Sequence, residues 1–343
     1  MLPRTVERLL GTVAAQSGAV LARRGYLAAV VSEHGKIDSP HAGQILVEIE
    51  SAGVNPADLR MINGQYHIKP KLPFVPGFEI AGNVTEVGKG VKRWKEGDRV
   101  AVLRSAATGG FAEECIIDTN IDTVIPLPYG VEYETAAAVA TSYGTAYLAL
   151  ADMAKDRVGA SLLVLSSRGM IAFAAVDLAQ NLFKADVIAC SDTEEKLDKL
   201  RETGVVRTVN YTKEKLVDVA RKGTMGHGVD VVVDTIGGDV FGTALECIRP
   251  GGRVFSLGFT SGKIPSVSVL DLHRTGATVS GIWLGGRQPD EVEKTITMIF
   301  DLFQQEFLQA RIDAKYQLKD VPQCIQDIND NKIFGKALIN MKE

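Results

Sequence analysis

Cysteine is scarce in this chain. Four occur among 343 residues, Cys115, Cys190, Cys247 and Cys324. None lies in a CxxC pair or a Cys/His cluster, which removes structural zinc and a disulfide framework as organising devices and fits a reducing compartment. The histidines His34, His41, His67, His227 and His273 fall in polar or turn contexts without HxxxH spacing, so no metal site is predicted. A GxSxG elbow is missing too, and no Ser/His/Asp set is identifiable, so hydrolase chemistry has no support. No apolar run approaches the roughly 20 residues that span a bilayer. Charge of one sign is not in excess: 38 basic against 42 acidic residues give a net charge of -4, with no basic stripe to suit a nucleic acid. What remains is 45% apolar and 23% charged, long enough for two domains with a core in each.

Residues 1–26 stand apart. Arg4, Arg8, Arg23 and Arg24 face the single acid Glu7, and Leu2, Val6, Leu9, Leu10 and Val13 recur at helical spacing. This is the pattern of a mitochondrial presequence, with RRGY before Leu27 resembling a processing site. The alternative is an extra N-terminal helix packed on the next domain, in a cytoplasmic protein.

From Leu27 to about Leu150 the chain reads as short β-branched runs broken by glycine and proline: ILVEIESAG, EIAGNVTEVG, GDRVAVL and AEECIID. Strands of that length and punctuation predict an antiparallel, partly open barrel. After Ala151 the rhythm changes to strand then helix. LLVLS (162–166), DVIAC (186–190), DVVVD (230–234) and RVFSLG (253–258) are strand candidates separated by helical stretches, which predicts a doubly wound parallel sheet. An amphipathic helix is expected over Glu291–Phe307, and KALINM is expected as a final strand. In such a fold the turn after the first strand, SSRGMIAFAAVDLA (166–179), must let backbone approach a pyrophosphate while the next helix points its amides at it. Gly169 meets that need.

The segments AGVNPADL (52–59), NGQYHIKPKLPFVPGFEIAG (63–82), EGDRV, GTAY and RPGGRV together resemble the medium-chain dehydrogenase/reductase superfamily over nearly all of Leu27–Glu343. Asn55 and Phe78 stand where zinc-dependent members carry a ligating Cys and His, and the four-cysteine lobe that follows GDRV in those members is absent. The resemblance therefore points to the zinc-independent quinone oxidoreductase and enoyl reductase group. It implies a GroES-like catalytic domain over 27–150 and 287–343, with an inserted Rossmann cofactor domain over 151–286. A homodimer joined at the edge of the cofactor sheet is also implied. Between Val31 and Ile45 the chain has only a short connection where relatives fit another strand pair.

The same resemblance supplies the site residues. Ser167, Arg168, Gly169, Met170 and Ile171 match the phosphate loop, with Met170 where relatives have glycine. Ser191 stands where NAD-specific members carry an acid, and Lys196 and Tyr211 match contacts to a 2′-phosphate. NADPH is therefore the expected coenzyme, with NADH as the alternative if Asp192 reaches the ribose. Thr145, Ile236, Gly258 and Phe259 match the nicotinamide end. Tyr66 matches the proton donor of the enoyl thioester reductases, and Asn55 is expected to orient substrate or the nicotinamide ribose. The implied acceptor is a quinone, an enone or an enoyl thioester, activated enough to take hydride without a metal. Val267–Leu284 has the character of the mitochondrial trans-2-enoyl thioester reductases. The eroded SRGMIA loop admits a third reading, a fold kept for binding with catalysis lost.

Overall fold

The computed structural model describes residues 19–23, 26–30, 39–71, 74–105, 109–151, 159–166 and 169–342. The amphipathic stretch expected over residues 2–13 lies outside them. Ala19–Arg23 (β1) and Tyr26–Val30 (β2) form an antiparallel hairpin in which Arg23 pairs with Tyr26, so segment 1–26 contains a strand its composition does not announce.

The chain divides into two compact units. The first comprises Met1–Thr141, Gln288–Gln304 and Ile312–Glu343; the second comprises Ser142–Arg287 and Gln305–Arg311. In the first unit Gln44–Val54 (β3), Glu79–Val87 (β4), Arg99–Leu103 (β5), Glu114–Asp118 (β6) and Thr123–Pro126 (β7) pair antiparallel, β3 with β4 and β6, β4 with β5, and β5 with β7. β6 alternates buried and half-buried positions, the period of a sheet with one face on a core.

The second unit carries Ser161–Leu165 (β8), Asp186–Ser191 (β9), Arg207–Asn210 (β10), Val229–Asp234 (β11), Ile248–Ser256 (β12) and Thr278–Gly281 (β13). They form a parallel sheet in the order β10-β9-β8-β11-β12-β13. All six residues of β11 are buried, as expected when helices cover both faces. The strand order reverses between β8 and β11, and doubly wound sheets bind ligands at the carboxyl ends of such a switch point. β10 and β13 sit at the two edges, and with four residues each they are too brief to stand out as apolar runs.

The chain then returns to the first unit through the helix Pro289–Gln304 and the parallel pair Ile312–Gln317 (β14) and Lys336–Asn340 (β15), with β15 antiparallel to β3. The helix ends short of the expected Phe307 because Glu306 adopts φ 59 and Phe307 is exposed. Ile45, Val47, Ile49, Ile80, Val100, Phe111 and Ile339 close one core. Leu163, Ile188, Val209, Val232, Val254 and Phe241 close the other. Each such side chain contributes roughly 1.5–3 kcal/mol by leaving water.

Candidate active site

In the first unit, β3 ends at Val54 and Asn55 opens the helix Pro56–Ile62, where Pro at its first position loses no hydrogen bond. Asp58, three residues on, accepts the Asn55 amide at 2.9 Å through Oδ2 and the Gly77 amide at 3.1 Å through Oδ1. The loop before β4 is thereby tied to the helix. Burial pushes the Asp58 carboxyl up to about 7, against the lowering pull of the Asn55 amide and of Lys336.

Beside it lies a buried polar centre that the sequence does not advertise. Lys336, the first residue of β15, donates to Glu79 Oε2 at 2.5 Å and to Asn55 Oδ1 at 2.8 Å. Asn55 Nδ2 donates to Glu79 Oε2 at 2.8 Å and to the Gly53 carbonyl at 3.2 Å. Glu79 Oε1 accepts the Thr141 amide at 2.6 Å. Room for this comes from Gly53, where a Cβ would fall 2.7 Å from Lys336 Cε and 2.1 Å from the Ala137 carbonyl oxygen. Asn55 is expected to orient substrate or the nicotinamide ribose through its amide; both of its side-chain N–H groups are taken within the protein.

Tyr66 is half-buried and packs, with Phe78 and Ile325, against Met61, Ile62 and Phe74. Its ring centroid lies 4.2 Å from that of His67. Tyr66 and Phe78 therefore share one apolar wall. At positions 55 and 78, where the resemblance leads one to look for a Cys and a His, this chain presents an amide and a phenyl ring, with the Lys336 ammonium against the amide. Among the described residues no group of three or more His, Cys, Asp or Glu side chains is placed to hold a metal ion. All four cysteines are buried, and burial raises every thiol pKa, to about 12 for Cys247 and Cys324, so they stay protonated at neutral pH.

In the second unit, β8 leads to Ser166, and Gly169 begins the helix Met170–Asp177 with φ -77 and ψ 154. Ser167 and Arg168 lie outside the described residues. A Cβ on Gly169 would meet no described residue within 4 Å beyond its chain neighbours, so among the described residues the backbone there is open to an approaching group. Met170 is buried and Ile171 half-buried. At the ends of β11 and β12, Asp234 accepts the Ile236 and Gly237 amides, both at 2.9 Å, and Gly237 takes φ 69, which favours glycine. The Thr260 amide and hydroxyl both donate to the Thr235 carbonyl, and the Ser261 amide to that of Ile236. Ile236, Gly258 and Phe259 are thus brought together by two laced loops. Ser256 Oγ, at the end of β12, is buried with no hydrogen-bond partner among the described residues. Thr145 is buried in the helix Tyr133–Leu150.

Ser191 does not face outward. It is fully buried and its hydroxyl donates to the Ser166 carbonyl at 2.9 Å. The neighbouring Asp192 occupies the strand end instead, half-buried, and takes a hydrogen bond from Lys196. Burial opposes its charge, but Lys196 prevails and holds the carboxyl below its usual range. Tyr211 is half-buried after β10; burial, then the Asp192 charge, pushes its phenol up to about 12. Lys196 and Tyr211 therefore do gather at the ends of β9 and β10, but around a carboxylate.

Sequence reasoning passed over Asp58, Glu79 and Lys336. The available signal was a lone lysine heading the apolar strand KALIN and an acid inside the apolar run FEIAG. A charge in such a run is tolerated only with a buried partner.

The chain matches the model of the alcohol dehydrogenase GroES-like domain over residues 41–129 and that of the zinc-binding dehydrogenase family over residues 171–301. It is 35% identical to a quinone oxidoreductase-like protein 2 homolog of Nematostella vectensis, over 94% of this chain and 90% of that one. To quinone oxidoreductase-like protein 2 of Mus musculus it is 33% identical, over 87% and 85%. Among solved structures, Escherichia coli quinone oxidoreductase complexed with NADPH superposes with a TM-score of 0.84 at 27% identity, over 94% of this chain and 98% of that one. The chain belongs to the medium-chain dehydrogenase/reductase superfamily, in its quinone oxidoreductase-like group.

Proposed function

We propose that the protein is an NADPH-dependent, zinc-independent oxidoreductase that reduces a quinone or an activated α,β-unsaturated carbonyl. The observation that carries this reading is Gly169, a cradle open at the switch point of the parallel sheet and at the head of a helix, where an anionic pyrophosphate is favoured. The unpartnered Ser256 hydroxyl at the end of β12 fits the same ligand. The NADPH bound to the similar Escherichia coli enzyme supports the choice of coenzyme. Lys196 supports a 2′-phosphate and Asp192 a free ribose, so NADH is the second coenzyme.

A bound reduced nicotinamide would supply the hydride, and the chain's own residues do the rest. Tyr66 delivers a proton from its phenol, to the oxygen of a quinone or to the α-carbon of the enolate left by hydride addition to an enone, and solvent restores it; one hydride and one proton complete either reduction. Its wall of Met61, Ile62, Phe74 and Phe78 keeps water from the receiving atom. Asn55 and its partners fix the polar side of the site.

The test is fluorescence titration with NADPH and NADH, followed by coenzyme oxidation with 1,4-benzoquinone and with a trans-2-enoyl thioester. Saturable binding and turnover with the quinone support the proposal. Turnover with the thioester alone favours the mitochondrial enoyl reductase reading, and absence of binding favours a protein without catalysis. Two further expectations belong to this reading. The edge strand β13, with Ile264, Val269, Leu270 and Trp283 exposed, suits a second copy, and Leu270→Glu should then lower the mass seen by sedimentation. The Arg-rich opening suits a mitochondrial address, to be checked by fusing residues 1–26 to a fluorescent protein.

A further inference from the structure

Residues Gln305–Arg311 belong to the second unit, although Gln304 before them and Ile312 after them belong to the first. Gln305, Glu306, Phe307 and Gln309 are exposed, and Glu306 takes φ 59, which residues with a Cβ seldom adopt. Such a segment keeps its course only where specific contacts hold it. Those contacts converge on the helix Met170–Asp177. Asp177, its last residue, accepts the Gln309 amide at 3.0 Å and the Tyr143 hydroxyl at 2.5 Å through Oδ2, and Asn181 Nδ2 at 2.6 Å through Oδ1. The Tyr143 hydroxyl also stands 2.9 Å from the Gln309 carbonyl oxygen, so one buried phenol bridges the carboxylate and the segment. Burial, then the Asp177 charge, pushes that phenol well above its ordinary range, so it keeps its proton and donates. Four residues before Asp177, the Phe173 ring carries the Arg311 guanidinium at 5.0 Å, and Arg311 also meets Glu202 Oε2 at 2.9 Å. At that spacing Phe173 and Asp177 lie on one face of the helix.

We propose that Gln305–Arg311 is a strap locked onto this helix by Tyr143, Asp177 and Arg311, and that a nucleotide phosphate at the Gly169 end of the helix and the strap at its Asp177 end strengthen each other. The second half rests on the oxidoreductase reading above. All the groups involved lie in the second unit. A helix of eight residues takes its stability from its partners rather than from its own hydrogen bonds. A pyrophosphate satisfies amides that the head of the helix leaves over; the strap braces the tail. Each partner favours the formed helix, so each raises the affinity of the other by the same factor.

The experiment uses the full-length protein, Tyr143→Phe, which removes the phenol oxygen and keeps the ring, and Arg311→Gln, which releases the other end of the strap. Deuterium uptake of peptides spanning 305–311 is followed by mass spectrometry with and without saturating NADPH, or NADH if only that binds. Coenzyme affinity is read by fluorescence and folding by the melting transition. Without coenzyme, Tyr143→Phe is expected to melt cooperatively and to exchange the strap about 10-fold faster than the parent, the worth of one buried hydrogen bond. Arg311→Gln is expected to speed the same exchange by a smaller factor. Coenzyme is expected to slow strap exchange in the parent and to bind Tyr143→Phe about 5-fold more weakly, the low end of couplings between sites. Parental exchange in a cooperatively melting Tyr143→Phe overturns the lock. Saturable binding that leaves strap exchange in the parent unchanged, or a parental Kd in Tyr143→Phe, overturns the coupling. Should Tyr143→Phe fail to fold, Arg311→Gln decides by the same readouts. If the parent binds neither coenzyme, the oxidoreductase reading fails and the coupling with it, while strap exchange in the variants still decides the lock.

Discussion

The polar centre around Asn55 and the carboxyl edge of the parallel sheet are built on opposite plans. In the first, Lys336, Glu79, Asn55 and Asp58 satisfy one another, with every carboxylate and amide of the cluster bonded inside the protein. In the second, among the described residues, Gly169 fronts open space and the Ser256 hydroxyl is buried without a partner. A saturated cluster is rigid before any ligand arrives and serves to hold neighbours in place. An edge with unmet groups has affinity in reserve. On the proposed reading the sheet edge would capture the ligand, and the polar centre would hold its own neighbours in place.

Four measurements would break or sharpen that contrast. The largest effect is expected at Tyr66, which belongs to neither plan but stands on the apolar wall: Tyr66→Phe should lower kcat by roughly 10²–10⁴ if the phenol is the acid. Undiminished turnover in stopped-flow or steady-state assays would remove Tyr66 from the chemistry. Next comes Lys336→Met alone, which strands Glu79 as an unpaired buried anion and should destabilise the protein by roughly 3–5 kcal/mol in urea unfolding. A loss below 1 kcal/mol by that assay would mean the centre is not closed as described.

Asp58 gives a pH-dependent test of the same closure. Its folded pKa, about 7, lies above the ordinary carboxyl value, so the folded state holds a proton that the unfolded state has released, and stability falls as pH rises from about 4 through about 7. Relative to the parent, Asp58→Asn should therefore gain stability between pH 5 and pH 8, by at most a few kcal/mol at about 1.4 kcal/mol per unit. A gap between the two melting curves that stays constant with pH would contradict the raised carboxyl. The smallest effect belongs to the open edge. Gly169→Ala has space for its methyl group and φ -77 suits alanine, so melting should not change, while NADPH affinity should weaken about 10-fold because the methyl stands where the pyrophosphate approaches. Unchanged affinity would show that Gly169 fronts solvent only.

The strands of the second unit were legible because the interior of a parallel sheet demands unbroken apolar runs: the expected strands at 186–190 and 230–234 lie in the observed β9 and β11, and the one at 162–166 overlaps β8 except for Ser166. The short edges β10 and β13 were not, since half-exposed residues carry no such pattern. At the proposed ribose end, the resemblance singles out Ser191 by residue type, but a side chain's direction depends on which neighbour needs its hydroxyl. The Ser166 carbonyl needed it, and Asp192 took the outward position.

The sequence by itself determined the superfamily, the absence of a Cys/His ligand pair at positions 55 and 78, and the division into an antiparallel and a parallel sheet. These follow from residue type and local period, which are one-dimensional quantities. Only the tertiary structure decided that Lys336 would stand on Asn55, because the two are 281 positions apart and meet only when β15 pairs with β3. The choice between a solvated lysine and a buried ion pair is made by that pairing, through desolvation that no local pattern records.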